Sequence, residues 1–88
     1  MGPRAPELGV GIPITYAKDQ PQYRPLAVEV VDRDRGFTVV TRWALTAEER
    51  SRVAAGEDVY LAVLTFGRPL QPLMPAVGAD AMRAWLTP

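Results

Sequence analysis

The sequence predicts a small α+β domain, and three stretches carry that prediction. Two β-branched runs, 26–31 and 37–43, are joined by five polar residues ending in Gly36, the pattern of a β-hairpin. Residues 45–56 hold a helix start and a helix stop. Residues 58–66 (DVYLAVLTF) are apolar on both alternating faces, which suits a central strand covered on two sides. The expected order is hairpin, helix, central strand, proline-rich edge segment and short C-terminal helix, built on a small antiparallel sheet.

Length and composition bound the function. The chain has 88 residues, enough for one domain with a small core. It holds no Cys and no His, so disulfides, thiol nucleophiles, Cys/His zinc sites and imidazole acid–base chemistry are all excluded. With no staple available, association with further copies is the remaining way to enlarge the core. Ten basic residues balance ten acidic ones, so no overall field points to nucleic acid or to an anionic membrane. No apolar run approaches the ~20 residues of a membrane span, and the N-terminus lacks a signal-peptide core. The expected location is the bacterial cytoplasm.

Residues 1–22 are read as an extended Pro/Gly-rich arm, and 23–88 as the single α+β domain. The first 25 residues carry Pro3, Pro6, Pro13, Pro21 and Pro25, each of which removes a backbone donor. Ile12, Ile14 and Tyr16 alternate, so the arm is either an edge strand or a flexible tail. The GxG at Gly9–Gly11 follows no strand and precedes Pro13, which argues against a nucleotide loop. In the second hairpin strand Phe37, Val39, Thr41 and Trp43 share one face, while Thr38, Val40 and Arg42 share the other. Trp43 is read as core, with ligand stacking as its alternative role.

Thr46 and Glu49 have the spacing of a capping box, and Gly56 that of a C-terminal stop. Glu48 and Arg52 are four apart, in the order that favours a surface ion pair. Val53 is the helix's only large apolar side chain, so the helix is expected to lie on a sheet. Gly67-Arg68 marks a turn. Pro69, Pro72 and Pro75 then recur every three residues, as in an edge strand or a docked polyproline segment. Met82, Trp85 and Leu86 form an apolar stripe on the closing helix.

The block RW-x-LT-x-x-ER-x-R-x-x-x-G followed by YLAVLTFGRPLQP resembles a group of short uncharacterised proteins encoded by bacteriophages and prophages of proteobacteria. The resemblance covers roughly residues 20–75 and rests on Tyr23, Arg42, Trp43, Leu45, Thr46, Glu49, Arg50, Arg52, Gly56 and the 64–72 string. It implies a phage origin and no particular chemistry.

No nucleophile stands beside a base, so the expected function is non-enzymatic, with no metal and no cofactor. The sequence points to an accessory protein that sequesters a host-derived ligand, with a nucleotide immune signal as the candidate, as a homo-oligomer. The candidate ligand-binding residues are Tyr23, Arg42, Trp43, Thr65, Phe66, Arg68 and Gln71: guanidinium forks for phosphate and rings for base stacking. The alternative is a protein-interaction or virion structural module that binds a protein partner and no small molecule.

Overall fold

The computed structural model describes residues 1–22, 24–33 and 36–87. Among the described residues, five strands and two helices follow in the order β1 (Gly2–Arg4), β2 (Ile12–Tyr16), β3 (Leu26–Arg33), β4 (Gly36–Val40), β5 (Arg42–Ala44), α1 (Ala47–Ala54) and α2 (Ala79–Leu86). They form two antiparallel sheets, one of three strands in the order β2-β3-β4 and one of two, β1-β5. The α+β class, the β3–β4 hairpin and the C-terminal helix are therefore present.

The N-terminal residues are part of both sheets. Ile12, Ile14 and Tyr16 pair with Val30, Val28 and Leu26, so β2 is an edge strand of the larger sheet. Pro3 lies opposite Trp43 in the smaller one. The GxG pair has a structural duty here: Gly9 has φ 74°, and a Cβ on Gly11 would stand 2.6 Å from the Val30 carbonyl oxygen.

The core lies on one face of the larger sheet. Leu8, Val31, Val40 and Leu86 are buried together, with Val10, Met82 and Trp85 packed partly against them. The α2 stripe thus docks on its own domain. On the sheet, residues directly opposite one another share a face. Glu29 pairs with Val40 and Val31 with Thr38, which puts Val40 on the packed side. Val30 pairs with both Ile12 and Val39, and these belong to the opposite side. That second face is apolar and largely open: Phe37 is 76% exposed, and Ile12, Ile14, Tyr16 and Val39 are all exposed, although Val28 in the centre is buried. The set containing Phe37, Val39 and Trp43 is thus turned outward; Trp43 is 47% exposed and is not core.

Helix α1 forms through its own local signals. The Thr46 hydroxyl accepts from the Glu49 amide at 3.1 Å, and the Glu49 carboxylate accepts from the Thr46 amide at 2.9 Å. At the other end the Gly56 and Glu57 amides donate to the Val53 and Arg52 carbonyls, the paired bonds of a Schellman stop. Arg52 forks onto Glu57 with two 2.9 Å bonds, and not onto Glu48. The helix buries none of its residues, so it does not lie on a sheet as expected.

The largest departure from expectation is 58–66. This run is in neither sheet, and no central strand forms there. Its side chains are open on both alternating faces, from Val59 and Leu61 to Tyr60 at 91% exposure. The proline-spaced residues 69–76 likewise form no edge strand, and Leu70, Leu73 and Met74 are exposed. The physical reason is the pairing partner. A strand with two apolar faces needs a neighbour and two covers, and the one small core is already closed by α2.

Candidate functional site

The candidate residues fall on two elements. Arg42 and Trp43 sit in β5, held in register by Arg4 and Pro3 of β1. The Arg42 guanidinium donates to the Ala5 carbonyl at 3.3 Å and stands 3.9 Å from the Glu7 carboxylate, so part of its donor fork is already engaged. The Trp43 indole donates to the Thr41 hydroxyl at 2.9 Å, leaving an exposed ring face.

The other four belong to the segment after α1. The Arg68 amide donates to the Thr65 carbonyl at 3.1 Å, closing a turn around Phe66 and Gly67. Both central residues have positive φ, 55° at Phe66 and 78° at Gly67. That pair of signs is what a type I′ hairpin turn requires, and it is unusual for a ring-bearing residue such as Phe66. Phe66 is 82% exposed. Arg68 and Gln71 are exposed, and among the described residues their side chains make no hydrogen bond or ion pair. No hydrogen bond or ion pair joins the β5 pair to this turn among the described residues. Tyr23 lies outside the described residues.

None of these six described residues lines the two best-formed clefts among the described residues. The larger, of about 520 Å³, runs between the 5–11 loop and the β2–β3 pair. Two acids line it, Glu7 and Glu29; Glu29 is 5% exposed, and its two carboxylate oxygens accept from the Leu8 and Gly9 amides at 3.1 and 3.0 Å. Both oxygens are spent on the loop, so Glu29 is a structural clamp. Sequence reasoning missed it; the signal was a lone acid within the β-branched run LAVEVV. The smaller cleft, of about 200 Å³, lies between the N-terminus and α1 and is lined by Met1, Glu49, Arg52 and Glu57 among others.

The electrostatics of that second cleft are also structural. The N-terminal ammonium stands 2.6 Å from Glu49. Its hydrogen bond, followed by those of the Thr46 amide and hydroxyl, lowers the Glu49 carboxyl from 4.5 to about 2. Arg52 lowers Glu57, and Glu57 in turn raises Arg52. Glu49 and Glu57 thus each have a partner that accounts for them. Among the described residues no group of three His, Cys, Asp or Glu is placed to hold a metal, and no helix is long and apolar enough to cross a membrane.

What the structure does concentrate is apolar surface. A folded monomer of 9.7 kDa exposes roughly 5,100 Å², about 2,300 Å² less than the 7399 Å² of this chain. The radius of gyration, 14.4 Å, exceeds the roughly 12 Å of a globular domain of this length. Large apolar side chains stand exposed along 59–77 and on the open sheet face.

Family models, curated proteins and solved structures were all compared with the chain, and none of the three comparisons returns a match.

Proposed function

We propose that this chain is a non-enzymatic binding protein of phage origin that works as a homo-oligomer and captures a host-derived target. The observation that carries the reading is the set of large apolar side chains left exposed along 59–77 and on the open sheet face, on a chain whose total surface exceeds that of a compact monomer by about 2,300 Å². Surface of this kind is used by association, and Glu29, Glu49 and Glu57 are each tied to a structural partner.

In an oligomer, residues from two copies meet at one boundary. Arg42 and Trp43 of one copy and Thr65, Phe66, Arg68 and Gln71 of another supply cations, rings and amide groups, the parts a nucleotide-like anion needs. Capture of a nucleotide immune signal in the bacterial cytoplasm is therefore the small-molecule form of the reading. The protein-target form is favoured by the neutrality of the exposed segment, which holds no charge from Val59 to Gly67. An apolar, uncharged surface suits a protein partner better than a phosphate.

Native mass spectrometry of the chain purified from bacteria with active nucleotide signalling tests the reading. An oligomer with extra mass in the nucleotide range supports signal capture, and one bound to a host protein supports the second form. A bare monomer that retains nothing refutes both.

A further inference from the structure

Resting on the homo-oligomer reading above, we infer that 58–66 of one copy adds as a fourth strand to the free edge of β4 in a second copy, reciprocally across a two-fold axis. The donor has the composition of a strand, β-branched and aromatic, with no Pro or Gly and no charge after Asp58. Its two faces are both apolar and both uncovered. The Schellman stop and the Arg52–Glu57 fork hold the chain up to Glu57, so the donor leaves the domain from a fixed point.

The acceptor follows from comparing the free edges. β1 carries Pro3 and Arg4, β5 is three residues long with Arg42, and β2 carries Pro13. A proline on an edge removes a ladder donor, and an edge charge discourages pairing. β4 (GFTVV) has neither, and its far side is unpaired. The surroundings of β4 also match a strand apolar on both sides. Phe37 and Val39 lie open on one face, while Val40 borders the Val31–Leu86 core on the other. An added strand would set one of its apolar rows over Phe37 and Val39 and extend the core with the other.

The occupant is a second copy because each chain carries one unfilled edge and one unplaced strand. A two-fold exchange satisfies both at once and closes the assembly, whereas a foreign strand would leave the donor of this chain in water. The area allows it: each chain exposes about 2,300 Å² more total surface than a compact monomer of its mass, enough to supply an obligate homodimer interface.

The test is a complementation measured by native mass spectrometry and sedimentation. The wild type is expected at twice the 9.7 kDa of the chain. One variant breaks the donor (Leu61→Lys with Leu64→Lys), the other the acceptor (Phe37→Lys with Val39→Lys). All four positions are exposed, so each variant should still unfold cooperatively as a folded domain, with less strand signal than the wild type, and run as a monomer. Mixed, the two should form a heterodimer, because one intact donor still meets one intact edge. A monomeric wild type overturns the inference. So does a wild-type dimer whose variants stay dimeric, or whose mixture stays monomeric; in either case the homo-oligomer stands and only the strand exchange falls. A complementing dimer that retains no target would instead remove the capture function and leave the exchange intact.

Discussion

Replacing Glu29 tests the clamp that orients the whole packed face of the sheet. Glu29 is 5% exposed and accepts two backbone amides, Leu8 in a buried bond and Gly9 in a partly buried one. A hydrogen bond to a charged group contributes about 1.5–3 kcal/mol, and a buried donor left without a partner costs about 1–3 kcal/mol. Water can reach the Gly9 amide but not readily that of Leu8, so Glu29→Ala should cost roughly 2–4 kcal/mol. An 88-residue domain unfolds with about 185 cal/mol/K, so this loss lowers Tm by roughly 10–20 °C. Glu29→Gln keeps one acceptor and turns a donor towards the other amide, and should fall between wild type and Glu29→Ala. Thermal melts followed by circular dichroism, at one fixed protein concentration, read the difference. A Glu29→Ala melt within about 2 °C of wild type would mean that Leu8 and Gly9 are held by something else, and the account of the core would fail.

Leu86→Ala should cost about 2–5 kcal/mol, because Leu86 is the one fully buried side chain that α2 brings to the core; a melt unchanged from wild type refutes that placement. Thr46→Ala removes the capping box and should cost about 0.5–2 kcal/mol, visible as faster amide exchange in α1 with little change in global Tm, since α1 buries no residue. Acid should loosen the N-terminus from α1. The Glu49 carboxyl is lowered on folding, so its contribution is complete above 4.5 and is lost as pH falls towards about 2. An NMR titration of the Thr46 and Glu49 amides should show that window, and Glu49→Gln should abolish it. Gly11→Ala sets a Cβ against the Val30 carbonyl and should destabilise the β2–β3 pairing, read as lost exchange protection there.

The parts legible in the sequence are those whose signals are local. The α1 box needs only Thr46 and Glu49 three residues apart, and its stop only Gly56, so both were readable without knowing the rest of the fold. The α2 stripe, the β3–β4 hairpin and the β2 alternation are of the same kind. The inward face of β4 was not readable. Alternation separates Phe37 and Val39 from Val40, but it does not say which set is covered. That choice is made by Leu8 and Gly9, some 30 residues away, bonding to Glu29 beside Val40. The candidate binding residues were legible as chemical types only. Their separation onto β5 and the Phe66–Gly67 turn depends on where the segment after α1 goes, and nothing within that segment specifies it.

The misreading of 58–66 has a physical content of its own. Two apolar faces on one run state that the run demands cover, and the chain's own core does not meet the demand. A sequence satisfied at every level would have placed it; here the local preference for a strand and the monomer's architecture disagree. In the proposed dimer they agree, because the missing neighbour is the β4 edge of the other copy. The prolines then acquire a role. The positive φ at Phe66 and Gly67 reverses the chain after the donor, as a hairpin turn does. Pro69, Pro72 and Pro75 lack the amides on which a further strand would grow. Pro13 does the same at the opposite rim of the sheet. An exposed apolar strand is ordinarily an aggregation hazard; bounded by proline on both rims, it becomes one that admits a single partner and then stops.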